Sequence, residues 1–137
     1  MYVVRQKFPD RSLKDPRSAV LAELAAAGFA SRTAPGSSIA IGVGSRGIAS
    51  LDIIVRAVVD YWKSAGMKPF LFPAMGSHGA ATAVGQAHVL AQYGITEAAM
   101  GCPVRSSLDV VPLGRTPLGI EAFMDRAAFE SGGVMLI

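Results

Sequence analysis

Phe70-Leu71-Phe72-Pro73-Ala74-Met75-Gly76-Ser77-His78-Gly79-Ala80-Ala81-Thr82 is the stretch on which the fold turns. It begins as a short apolar run and breaks at Pro73. A loop of small residues follows, carrying one imidazole, and a helical pattern comes next. An apolar run of that length between turn signals reads as a buried strand of a parallel sheet. In open α/β sheets, ligands gather at the carboxyl ends of the strands. His78 is expected there, between Gly76 and Gly79, where the backbone can approach a ligand closely. An imidazole so placed suits proton transfer near neutral pH. It reads equally as a loop histidine that hydrogen-bonds a neighbour.

Upstream, Ser38-Ile39-Ala40-Ile41-Gly42-Val43 repeats the pattern as a second buried strand. It feeds the loop Gly44-Ser45-Arg46-Gly47. A helix is predicted from about Ser50 to Ser64. Leu51, Ile54, Val55, Val58 and Trp62 form its apolar stripe, with Arg56, Asp60 and Lys63 off it. Gly66 ends that helix. Residues 38–72 therefore form a βαβ unit, expected to be right-handed.

Gly42, Gly44 and Gly47 have the G-x-G-x-x-G spacing of a dinucleotide site. That fingerprint also wants an acid ~20 residues on for the ribose. Met67 to Ala74 contains none, and an arginine sits inside the proposed phosphate turn. A nicotinamide site is therefore disfavoured. A phosphate or carboxylate held by loop amides and Arg46 fits better. The bland alternative for Arg46 is a surface ion pair.

In the rest of the chain, residues 1–8 read as an edge strand. Asp15-Pro16 offers an N-cap with proline at the first helical position. Val20, Leu21, Leu24 and Ala27 continue that helix to Gly28. Another helix runs from about Thr82 to Tyr93 and stops at Gly94. Cys102 to Ser107 reads as a loop or short strand, with Arg105 and Ser106 as further ligand contacts. Leu108–Pro112 and Ile120–Met124 suggest a hairpin around Gly114 to Gly119, and hence a mixed sheet. Residues 133–137 form a final apolar strand. The expectation is one α/β domain over 1–137, Rossmann-like and mostly parallel, with helices on both faces and a hairpin near the C-terminus.

Other chemistries find little support. Ser45 and Ser77 are not in a G-x-S-x-G elbow. Cys102 lacks an evident base and reads as a small buried hydrophobe. No histidine or cysteine pair has zinc spacing, so no metal ligand is expected; His88 reads as a surface or packing residue. Half the 137 residues are hydrophobic, which suits a sheet covered by helices. No apolar run approaches the ~20 residues of a membrane helix. The N-terminus lacks a signal-peptide layout, and a lone cysteine fits a reducing cytoplasm. Net charge is +3 with scattered basic residues, which gives no nucleic-acid footprint. Arg46 and Arg105 point instead to a small anion.

Taken together, Gly42-Val43-Gly44-Ser45-Arg46-Gly47-Ile48, Pro73 through Thr82, Tyr93-Gly94-Ile95-Thr96 and Gly101 through Ser107 resemble the N-terminal domain of the lactate racemase family, in its uncharacterised branch. The likeness covers nearly all of this chain but only the first part of the family's length. It implies a racemase or epimerase that moves a hydride between a 2-hydroxy acid and a nickel-pincer nucleotide. By position, His78 would exchange the hydroxyl proton and Arg46 would hold the substrate carboxylate. Gly44, Ser45, Gly47, Gly76, Ser77, Gly79, Arg105 and Ser106 would line the substrate and cofactor site. The racemase carries an acid three residues before its loop arginine, where this chain has Val43. The family's second catalytic histidine, its cofactor-bonded lysine and its nickel-binding histidine lie downstream of Ile137. The chain is accordingly expected to be the first part of a longer catalytic domain, inactive alone and without cofactor. Two alternatives remain open: a phosphate- or carboxylate-binding module, or a structural fragment that self-associates through its exposed last strand.

Overall fold

A computed structural model of the chain describes residues 2–137. Helix α1 spans Pro16–Ala27; the Asp15 side chain accepts from the Ser18 amide at its start, and Gly28 closes it in the left-handed region. Strand β1 is Ser38–Val43, and helix α2 is Leu51–Ser64. Strand β2 is Lys68–Pro73, and helix α3 is Ala83–Gln92, capped by Thr82. A one-turn helix α4 follows at Glu97–Met100. Strands β3 (Val110–Arg115) and β4 (Glu121–Asp125) precede a one-turn helix α5, Arg126–Phe129, and strand β5, Gly133–Leu136.

The fold is α/β. The main sheet has the order β2-β1-β5 and is wholly parallel. Side chains alternate across a strand, so Ile39, Ile41 and Val43 enter one core while Ala40 enters another. The first core takes Leu24 of α1, the α2 stripe, Leu90 of α3 and Met100 of α4. Leu51, Val55, Val58 and Trp62 of α2 are all buried there. Burying each such aliphatic side chain is worth roughly 1.5–3 kcal/mol. The opposite face carries Phe70 and Phe72 under Ala127 and Ala128 of α5 and Met124 of β4.

Two expectations need correction. Residues 2–8 form no strand: Tyr2, Val3, Val4 and Phe8 are exposed. Met1 lies outside the described residues. The outer edge of β2 is taken by the segment around Val104, where the Leu71 amide donates to the Pro103 carbonyl and the Arg105 amide to that of Leu71. β-propensity makes no strand without a ladder partner. Second, the hairpin is a two-stranded sheet of its own, with an irregularity between Pro112 and Gly114, and does not join the parallel sheet. Helix α4 falls in a stretch for which the sequence suggested no element; Thr96 caps it by accepting from the Ala99 amide.

Candidate functional site

Because β1 and β2 are adjacent and parallel, the loops that follow them emerge at the same sheet end. The first loop presents Ser45, which is buried, and Arg46, which is exposed. The second presents His78, half-buried. Ser45 Oγ and His78 Nδ1 are in hydrogen-bond contact. On the other side of the ring, Arg46 Nη2 lies 2.6 Å from His78 Nε2. One imidazole thus has a neighbour on each nitrogen, and both neighbours come from the first loop.

Each loop is anchored from behind. The Tyr93 hydroxyl at the end of α3 donates to the Ser45 carbonyl at 2.6 Å. The Gly44 amide donates to the Ile137 carbonyl at 3.0 Å. In the second loop, buried Met75 is the apolar anchor. The side-chain amide of Gln86 donates to the Gly76 carbonyl at 2.8 Å. Thr82 accepts from the Gly85 amide and donates to the Gly79 carbonyl, both at 3.0 Å. Gly79 has φ +64° and packs directly on the backbone of Gly85 and Gln86, where a Cβ has no room. Ala80 and Ala81 follow with φ 56° and 53°. Left-handed conformation costs an alanine roughly 1–2 kcal/mol. The loop holding His78 therefore keeps its shape against local preference, through its bonds to α3.

Not every expected site residue joins this cluster. Arg105 stacks its guanidinium 4.2 Å from the centre of the Phe70 ring, on the thinly covered sheet face. The Ser106 hydroxyl donates to the Ala83 carbonyl at 2.6 Å, fixing the start of α3. The Gly44 amide is engaged in the ladder and is not free for an anion. Gly47 and Ser77 are exposed beside the pair. Gly42 serves packing: a Cβ there would sit 2.8 Å from Phe72 Cζ. The glycine spacing after β1 therefore reflects strand packing and turn geometry rather than a phosphate cradle.

Tyr93 and Gln86 are supports that the sequence reading missed. Gln86 had a visible signal, since it lies one helical turn before Leu90 on the buried face of α3. Tyr93, next to the helix-ending Gly94, had none.

Cys102 is buried in the main core, and burial pushes its thiol above the ordinary value even with Lys63 near, so it stays protonated at neutral pH. His88 is exposed, with Gln92 3.2 Å away. Among the described residues, no three of His, Cys, Asp and Glu lie together as metal ligands. Among them, too, no helix is long and apolar enough to cross a membrane. Two cavities, of about 350 and 450 Å³, lie elsewhere: one between α1, α2 and α4, the other beside Trp62 and β5. The Arg46–His78 pair instead stands at an open surface. No family model, curated protein or solved structure matches the chain.

Proposed function

We propose that this chain is the N-terminal part of a lactate-racemase-like isomerase, cytoplasmic, acting on a small 2-hydroxy acid. The observation that carries this reading is the 2.6 Å approach of Arg46 Nη2 to His78 Nε2. A 2-hydroxy acid carries a carboxylate and a hydroxyl on neighbouring carbons. A guanidinium beside an imidazole suits that pair: Arg46 clamps the carboxylate through two parallel N–H bonds, and His78 takes the hydroxyl proton. The nickel-pincer nucleotide of this reading would supply the hydride chemistry. Among the described residues no three metal-ligating side chains stand together, and no step is assigned to that group. A phosphate-binding module is less favoured, because the Gly44 amide and Arg105 are already engaged.

Calorimetric titration of residues 1–137 with lactate and related 2-hydroxy acids tests the reading. A bound carboxylate should be lost or weakened roughly 10–100-fold in Arg46→Ala, since hydrogen bonds to charged groups are worth about 1.5–3 kcal/mol. Equal binding before and after the change would remove Arg46 from the site. In a longer form that turns over substrate, His78→Ala should cost ~10²–10⁴-fold in rate. A chiral assay on 1–137 alone should show no interconversion. Among the described residues no strand pairs with the outer edge of β5, and Leu136 is exposed, which favours self-association of the chain, as light scattering would read.

A further inference from the structure

We infer that Ser45 is a positioning residue for His78: it keeps the imidazole proton on Nδ1, so that Nε2 is the proton-accepting atom, covered by Arg46 until an anion draws the guanidinium away. The inference rests on the reading of His78 as the proton acceptor.

Hydrogen-bond accounting leads to it. A guanidinium has five N–H donors and no acceptor, and it stays protonated in proteins. Arg46 Nη2 at 2.6 Å from Nε2 can therefore only donate, and Nε2 must accept. A neutral imidazole has one donor nitrogen and one acceptor nitrogen. The proton is then on Nδ1, and the contact with Ser45 Oγ is Nδ1–H donating to the hydroxyl oxygen. This also excludes Ser45 as a nucleophile activated by His78 in this arrangement, because the nitrogen facing it carries a proton.

The two partners of the ring differ in freedom. Ser45 is 8 % exposed and its main chain is held by Tyr93 at its own carbonyl and by the Gly44 bond to Ile137. Arg46 is exposed, and among the described residues its side chain hydrogen-bonds the ring alone. A carboxylate accepting two N–H bonds from Arg46 offers it a stronger partner than a neutral ring nitrogen. Arg46 then leaves Nε2, while Ser45 still holds Nδ1. The substrate hydroxyl beside that carboxylate meets the uncovered lone pair. Its O–H bond breaks, a new N–H bond forms at Nε2, and the electron pair stays on the oxygen. The resulting imidazolium keeps its Nδ1–H on Ser45.

Long-range proton–nitrogen correlation spectra of ¹⁵N-labelled 1–137 test this without any turnover. Spectra recorded at about pH 9, above the range in which imidazole side chains ordinarily change charge, report ring tautomers. The chain has two histidines, and exposed His88 is the internal reference. His78 should show a single Nδ1–H tautomer. In an Arg46→Ala background, where no guanidinium holds Nε2, the single form should persist; adding Ser45→Ala should then return it towards the mixture seen at His88, and Ser45→Thr, which keeps the hydroxyl, should restore it. Added oxalate should move the Nε2 resonance of His78 and leave Nδ1 protonated. Should Ser45→Ala fail to fold, Tyr93→Phe loosens the same residue and should give a partial return to the mixture. An Nε2–H tautomer in the unaltered chain would overturn the inference. So would an unchanged tautomer when the Ser45 or Tyr93 change is added to folded Arg46→Ala, or an Nε2 resonance that oxalate leaves in place in the unaltered chain. Absence of 2-hydroxy-acid turnover in a longer form would sink the functional reading while leaving these spectra as they are.

Discussion

The two faces of the parallel sheet are finished differently. One lies under α1, α2, α3 and α4, and Ile39, Ile41, Val43 and Leu71 are at most 1 % exposed beneath them. The other is closed by a single turn of helix, one residue of β4 and the guanidinium of Arg105, and it leaves Leu136 71 % exposed. The helix-covered face also supplies the stiffness of the site, since Tyr93, Gln86 and Thr82 all belong to α3 or its cap. Stability and site geometry therefore come from the same side of the molecule.

Deep truncations should separate the two regions most. Leu71→Ala empties a fully buried position and should cost about 2–5 kcal/mol. Leu113→Ala, on the separate hairpin where the side chain is half-exposed, should stay within about 0.5 kcal/mol. Urea unfolding of both variants checks this. Similar losses would mean that the hairpin is part of the main cooperative unit.

A smaller effect probes how tightly the thin face is packed. Gly42 points its missing side chain at Leu136 and Phe72, and the space there is too short for a Cβ. If this face is as close-packed as its covered counterpart, Gly42→Ala should cost about 1–3 kcal/mol through overpacking. Leu136 is exposed and has solvent to move into, whereas the Phe72 ring is buried and the Ala74 Cβ, 3.1 Å from the added atom, moves only with its backbone. A cost near zero would show the thin face to be loose enough to repack, and would sharpen the contrast.

The same contrast decides how much was legible in the sequence. Covered strands and helices carry their burial as a period, so β1, α2 and β2 stand where the pattern of Ile39–Val43, Leu51–Trp62 and Phe70–Phe72 put them. On the thin face there is little to bury, and the hairpin strands were readable only by their turn, with boundaries shifted by up to three residues. The tail of residues 2–8 has strand composition, but pairing is a long-range property that composition does not carry. At the site, the proximity of Arg46 and His78 followed from parallel topology alone. Their supports did not, because a side chain that bonds a carbonyl many residues away leaves no local trace. Arg105 misled for the converse reason: a cation next to a loop looks like an anion contact until the aromatic face beneath it is seen.

The smallest expected effect lies on the outside of the covered face, where α1 meets α2. Asp60 accepts from Arg17 at 2.9 Å and from Arg56, one turn earlier, at 2.9 Å. Burial works to raise its carboxyl, but the hydrogen bonds from Arg17 and Arg56 outweigh that and hold it below the ordinary value of 3.8. A carboxyl lowered in the folded state stabilises fully above its unfolded value, and that contribution fades as pH falls through the lowered folded one. Asp60→Asn keeps an acceptor but loses the charge. It should cost about 0.3–1 kcal/mol at pH 7 in low salt, as partly exposed pairs do. Added salt should shrink the difference, because exposed charges are screened within about 10 Å at 0.1 M. As pH falls below the ordinary value of 3.8 and through the lowered folded one, the two proteins should converge, since Asp60 then gains the proton that removes its own charge. Thermal melts at pH 7 and at pH 2.5 give both ends of this comparison. A deficit that is the same at both pH values would mean that Asp60 acts through packing between α1 and α2, and that its charge contributes nothing to holding the helices over the sheet.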